Sequence, residues 1–188
     1  MQLNVRDSVY DPMEDSYMMQ KEVQKRARDK KVLDMGTGSG IQSISAALSG
    51  AKEAFAVDLN PEAVKCCKEN AKLNNVEVSV IQSNLFEKLP KNRFDLVVFN
   101  PPYLPSDGQH DDLRWSGGYE GIEVILEFFQ QVSDYLAKDG EILFIFSSHA
   151  NQDKLKKVLA KMGFSLEVID KKRIFHEEIY LGLSGRRI

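Results

Sequence analysis

The chain has 188 residues, 43% of them hydrophobic and 28% charged, with a formal net charge of -3. One sizeable core is feasible at this length, while the acidic balance argues against a surface built to neutralise many phosphates. No apolar run approaches the roughly 20 residues needed to cross a bilayer; the start, MQLNVRDSVYDP, lacks a basic flank followed by an apolar stretch, so no signal peptide and a cytoplasmic location are expected.

Strand-like and helix-like segments alternate along the chain. The first 30 residues read as a helical segment, with Lys21, Lys25, Arg26, Arg28, Lys30 and Lys31 crowding its end. Cations there suit a solvated helix C-terminus, where they also complement the helix dipole. KVLDM (31–35) is a short apolar strand that runs into glycines, and IQSISAAL (41–48) follows as a helix. EAFAVDL (53–59) is a second strand; Asn60-Pro61 then opens a helix to about Leu73, with proline at a position where its missing N–H costs nothing. VEVSVIQ (76–82) alternates apolar and polar residues as a half-buried strand does.

FDLVVFN (94–100) is almost continuously apolar, which predicts a central strand covered on both faces. A loop from Pro101 to about Tyr119 precedes IEVILEFFQQVSDYLA (122–137), whose periodicity is helical and which stops before Asp139-Gly140. EILFIFSS (141–148) is another buried strand, a helix spans 151–161, and two strands fit 164–170 and 175–183. This alternation predicts a mainly parallel sheet with helices on both faces, in one domain over 1–188. Ligands of such sheets sit beyond the carboxyl ends of the strands, near the topological switch point.

The unusual residues fall at those strand ends. DMGTGSG (34–40) places Gly36, Gly38 and Gly40 at alternate positions between the first strand and its helix. Glycine admits positive φ and lets a ligand approach without a β-carbon in the way. Asp58 ends the second strand, where a carboxylate can accept from both ribose hydroxyls. Dinucleotide enzymes instead carry G-x-G-x-x-G facing a pyrophosphate. Here Ile41 holds the position of the third glycine, and Asp34 would sit poorly beside a pyrophosphate. It suits a ligand bearing an ammonium or sulfonium cation.

Asn100-Pro101-Pro102-Tyr103 ends the strand 94–100. An amide or aromatic amine nitrogen is a poor nucleophile because its lone pair is delocalised. The Asn100 oxygen and a main-chain carbonyl, that of Pro101, can each accept one N–H of such a group and favour the pyramidal nitrogen of the transition state. Proline fixes its own φ and holds Asn100 extended, so the acceptors are preorganised. Tyr103 offers a ring that can pack on a flat substrate group. The adjacent Cys66 and Cys67 and the scattered His110, His149 and His176 have no metal-ligand spacing, and the chemistry needs no metal.

With these motifs the sequence resembles the HemK/PrmC group of class I methyltransferases, the protein-glutamine N5-methyltransferases that modify translation release factors. It is most similar to their short eukaryotic and archaeal branch, through Val9-Tyr10-Asp11-Pro12-Met13-Glu14-Asp15-Ser16, the glycine turn and the Asn100 tetrapeptide. The resemblance implies a Rossmann-like fold with a seven-stranded, mostly parallel sheet, divided into a cofactor-binding half (31–100) and a substrate-binding half (101–188). It implies S-adenosylmethionine contacts at Ser16, Asp34, Gly36, Asp58, Asn84 and Leu85, with Asn100 through Tyr103 holding the glutamine amide. Asn84 stands where the group usually has aspartate; its oxygen can still accept from the adenine amino group, without a charge.

Trp115-Ser116-Gly117-Gly118-Tyr119-Glu120-Gly121 resembles a segment of the same branch and reads either as part of the substrate pocket or as a glycine-rich entry to the following helix. The branch also implies a small zinc-binding activator protein paired along a sheet edge. VEVSVI (76–81) is suited to such pairing, and equally to an internal strand. The alternatives are adenine-N6 methylation of DNA or RNA, methylation of lysine or another amine, a sensor that binds the cofactor without turnover, and a nicotinamide oxidoreductase. Adenine methylation uses the same tetrapeptide, but no target-recognition insert accompanies it here.

Overall fold

The computed structural model describes residues 1–102, 122–174 and 177–187. Among these described residues, five helices and seven strands follow in the order α1 (Glu14–Arg26), β1 (Lys31–Met35), α2 (Ile41–Leu48), β2 (Glu53–Asp58), α3 (Pro61–Leu73), β3 (Ser79–Gln82), β4 (Phe94–Phe99), α4 (Glu123–Val132), β5 (Leu136–Ser147), α5 (Gln152–Lys161), β6 (Glu167–Ile174) and β7 (Glu177–Gly185). The strands form one sheet in the order β3-β2-β1-β4-β5-β7-β6. β1 to β5 pair in parallel, whereas β7 runs antiparallel to both β5 and β6. Tyr103, the segment 115–121, His110 and His176 lie outside the described residues.

Period-two alternation distributes each strand between two cores. Val97 and Phe99 of β4, with Ile142, Phe144 and Phe146 of β5, face Ile125, Phe128 and Phe129 of α4 and Leu155 and Leu159 of α5. Leu96, Val98, Leu143 and Ile145 point to the opposite side, against Met18, Met19 and Val23 of α1 and Ala46 of α2. The central strands are therefore buried on both faces, which is why they read as continuous apolar runs.

The bounds of α2 and α3 are those the sequence predicts. Asn60 caps α3 by accepting from the Glu62 N–H, with Pro61 in the first turn. The helix expected over 122–137 differs: α4 ends at Val132, and β5 begins at Leu136, ahead of the expected 141. Pairing with β4 captures the chain early. Phe94 N–H donates to the Tyr135 carbonyl at 2.8 Å, and Phe94 is opposite Leu136 while Leu96 is opposite Glu141. A bulge between those pairs folds Gly140 back on Leu136, where a β-carbon would stand 2.7 Å from Leu136 Cδ1. β3 is shorter than expected because its pairing with β2 starts only at Phe55 opposite Ser79. β6 and β7 begin and end later than the predicted 164–170 and 175–183.

The first residues form a strap along α3. Gln2 and Asn4 donate backbone N–H groups to the side-chain oxygens of Asn74 and Asn70, at 2.8 Å each. Arg6 pairs with Glu62 at 2.9 Å and Glu69 at 2.8 Å. The strap carries Val9 onto Ala63 and Cys66 and delivers Ser8 through Pro12 to the carboxyl ends of the strands.

Candidate active site

A cavity of about 600 Å³ opens there. It lies where the chain, having laid β1, β2 and β3 outward, returns to place β4 on the other side of β1, which is the topological switch point. Asp34, Gly36 and Gly38 line it from the first strand and turn, Asp58 and Asn60 from the second, and Ser83, Asn84 and Leu85 from the third. Phe99, Asn100, Pro101 and Pro102 line it from the end of β4, and Tyr10, Asp15 and Ser16 close it from the strap and the start of α1.

Positive φ at Gly36, Gly38 and Gly40 bends the first turn sharply. Gly38 points its N–H at Asp58 Oδ2, 2.9 Å away, while Asp58 Oδ1 accepts from the Asn60 N–H at 2.9 Å. Gly40 is placed differently from its companions. It does not line the cavity; a β-carbon on it would stand 2.9 Å from Cys67 Sγ and 3.0 Å from Ile44 Cδ1. It packs the turn closely on α3 and is absent from the cavity lining, where the sequence suggested a ligand contact.

Asp34 is 2% exposed. Its Oδ2 accepts from Thr37 Oγ1 at 2.6 Å and from the Ser43 N–H at 2.9 Å. Burial pushes the Asp34 carboxyl up to about 6, opposed by those hydrogen bonds and reinforced by the nearby charge of Asp58. Burial also raises Asp58, opposed by the Gly38 and Asn60 N–H groups. Two desolvated carboxylates on one cavity wall favour a cationic ligand. The same burial lifts the Cys67 thiol to about 12, so it is an inert packing group.

At the end of β4, Asn100 Nδ2 donates to Asp15 Oδ2 at 2.9 Å. Asp15 Oδ1 accepts in turn from the Tyr10 hydroxyl at 2.8 Å and the Ser16 N–H at 2.6 Å. Asn100 Oδ1 is buried with no hydrogen-bond partner among the described residues, as are Gln42 Oε1 and Ser39 Oγ. All three residues line the cavity. A buried acceptor without a partner costs about 1–3 kcal/mol, so three around one cavity mark a surface shaped for a ligand.

Sequence reasoning named Ser16 but passed over Asp15, Tyr10 and Gln42. The first two stand within the Val9–Ser16 motif, which was the available signal. Gln42, on the buried face of α2, gave none: its Nε2 donates to the Ser16 carbonyl at 2.9 Å and ties α1 to α2. The basic cluster after α1 is largely neutralised. Lys25 and Arg26 pair with Glu22, Arg26 and Lys30 with Glu141, and Lys31 with Glu53.

A Rossmann-like sheet carrying an acidic, glycine-turned cleft at its switch point is the architecture of class I methyltransferases. The chain matches the methyltransferase small domain family over residues 14–176 and belongs to it, as an S-adenosylmethionine-dependent methyltransferase. It is 38% identical over 182 residues to the "putative protein N5-glutamine methyltransferase" of Methanocaldococcus jannaschii, covering 94% of this chain and 91% of that one. It is 31% identical over 169 residues to human methyltransferase HEMK2, covering 82% and 79%. Among solved structures it superposes with TM-score 0.72 on one chain of the E. cuniculi Mtq2–Trm112 complex, which is described as responsible for methylating the eRF1 translation termination factor. That match has 26% identity and covers 96% of this chain and 99% of that one.

Proposed function

We propose that the enzyme methylates the side-chain amide of the glutamine in the Gly-Gly-Gln motif of a peptide chain release factor. The observation that carries this reading is Asn100 Oδ1, a buried acceptor at the end of β4 left without a partner among the described residues. It is what a hydrogen-bond-donating NH2 group needs. The names of the relatives supply the substrate class: glutamine N5 for the Methanocaldococcus protein and a termination factor for the Mtq2 complex.

The residues present fit the cofactor, which supplies an activated methyl group on a sulfonium. The volume suits a molecule of that size, and the two carboxylates suit its charge. Asp34 would accept from its ammonium group, and Asp58 would accept from the ribose hydroxyls beside the Gly38 N–H. Gly36 and Gly38 allow close backbone approach, and Ser16 closes the cavity from α1. Asn84 Nδ2 is engaged by Glu87 Oε1 at 3.1 Å, which leaves Asn84 Oδ1 to accept from the adenine amino group, with Leu85 beside it.

On the substrate side, Asn100 Oδ1 and the Pro101 carbonyl each accept one amide N–H, withdrawing the nitrogen lone pair from conjugation. Pro101 and Pro102 hold these acceptors in place; Tyr103, which the sequence offers as the ring to pack on the flat amide, lies outside the described residues. An amide held by these acceptors would be presented to the activated methyl group that the bound cofactor would supply.

We further propose a small zinc-binding activator along β3, which occupies one edge of the sheet with its outer backbone groups unpaired by any strand among the described residues. Among the described residues no helix is long and apolar enough to cross a membrane, and we place the protein in the cytoplasm with its substrate. The test is transfer of labelled methyl from S-adenosylmethionine to a release factor, with and without the activator. Labelling that vanishes when the glutamine is replaced supports the reading. Strong labelling of naked DNA, with none of the release factor, overturns it in favour of adenine methylation.

A further inference from the structure

We propose that Asp15 is a positioning residue for the Asn100 amide: it turns the Asn100 oxygen toward the methyl acceptor and strengthens it as an acceptor. The inference rests on the reading of Asn100 as the clamp for the acceptor NH2.

A primary amide has two nearly isosteric ends, one that only accepts and one that only donates. The torsion that exchanges them is broad and two-fold, so nothing within Asn100 selects the productive end. Asp15 makes the selection. A carboxylate accepts, so the end facing Asp15 Oδ2 at 2.9 Å is Nδ2, and Oδ1 must face the other way. The reversed amide would oppose the carboxylate oxygen of Asp15 with a carbonyl oxygen, and would present an NH2 to the acceptor's own NH2.

Asp15 is itself immobilised. It sits in the first turn of α1, 2% exposed, where the helix dipole favours an anion. Its Oδ1 is held by the Tyr10 hydroxyl and the Ser16 N–H. The residues are 85 positions apart in sequence, so this bond is a product of the fold.

Two electronic effects follow. Donation by Nδ2 to a carboxylate polarises the amide and raises electron density on Oδ1, which strengthens the bond it accepts from the substrate. During transfer, the nitrogen lone pair forms the bond to the methyl carbon while the carbon–sulfur pair returns to sulfur. Positive charge thereby moves onto the nitrogen until an N–H proton leaves to water. A fixed anion one hydrogen bond behind the clamp favours that displacement of charge.

The experiment compares wild type, Asp15→Asn, Asn100→Ala and the double variant in methyl transfer to a release factor carrying the Gly-Gly-Gln loop. Cofactor affinity is measured by calorimetry alongside. Asp15→Asn lets either amide end face Asn100, and its kcat is expected to fall roughly 100-fold with cofactor Kd within about threefold. In the Asn100→Ala background the same substitution is expected to change the residual rate by less than about threefold, because the group being positioned is gone. A folded Asp15→Asn protein with near wild-type kcat, or an equal loss in the Asn100→Ala background, overturns the proposal. A measurement on wild type alone covers the case in which the variant does not fold: the Asn100 NH2 protons should show slow hydrogen exchange and slow rotation by NMR, and rapid exchange overturns the proposal equally. If wild type labels another acceptor and no release factor, the substrate reading fails instead, and the same comparisons on that acceptor still decide the role of Asp15.

Discussion

Gly38 donates its backbone N–H to Asp58 Oδ2 at 2.9 Å, which fastens the turn after β1 to the end of β2. The carboxylate proposed to hold the ribose therefore also sets the shape of the glycine turn beside it. Asp58→Ala should weaken cofactor binding by about 10- to 100-fold, the worth of a charge-assisted hydrogen bond plus a loosened turn. Isothermal titration with S-adenosylhomocysteine measures this; unchanged affinity would remove Asp58 from the binding site.

Asp34 makes opposite predictions for stability and binding. Its folded-state carboxyl stands at about 6 against an ordinary 3.8, so the native state holds a proton that the unfolded chain has already released between those values. Stability from this group is present in full below about pH 4 and is lost as pH rises through 6. Asp34→Asn can keep the bonds from Thr37 and Ser43 through its oxygen. It should raise the melting temperature at pH 8 by several degrees, a gain bounded by roughly 3 kcal/mol. The gain should vanish toward pH 4. Thermal melts of both proteins across that range check the sign.

The same group should make cofactor binding pH-dependent. The wild-type affinity is expected to fall as pH drops below about 6, as the anion facing the cation is neutralised. Affinity measured from pH 5 to 8 should show this fall, and Asp34→Asn should bind weakly at every pH.

Gly40 has φ of +87°, and its missing side chain is what lets Cys67 approach. Gly40→Ala should cost about 1–3 kcal/mol from backbone strain and overpacking together. Urea unfolding with an unchanged m-value reads this directly.

Phe128 supports the catalytic strand from beneath. Its ring lies 4.6 Å from Phe99, the neighbour of Asn100, and 5.5 Å from Phe86. Phe128→Ala should destabilise by about 3–5 kcal/mol, whereas Phe128→Leu should remain folded and lose mainly kcat as the Phe99–Asn100 backbone settles. Equal kcat in Phe128→Leu and wild type would mean that the strand end holds its position without the ring.

What the sequence revealed and what it concealed divide along the range of the interactions. β1, α2 and α3 were legible because their limits are set locally, by a glycine turn and by the Asn60-Pro61 start. The break between α4 and β5 was not, because the residues over 122–137 keep helical periodicity and only the partner Phe94 draws Leu136 into the sheet. The cavity wall formed by Asp34, Asp58 and Asn100 could be read from strand ends. Asp15 could not, since its meaning depends on a partner brought near by the whole fold. Gly40 looked like its neighbours in spacing, but its surroundings on α3 give it a packing role.

The strap of residues before α1 is attached to α3 by side-chain hydrogen bonds and by ion pairs at Arg6, and takes part in no strand pairing. One wall of the cavity thus belongs to a segment laid across the fold, in the manner of a hasp over a door. It can be lifted without breaking a single rung of the sheet. Alterations among residues 1–9 will accordingly reshape the entrance to the cleft, and a change at Tyr10 will reach Asp15 and Asn100 behind it as well.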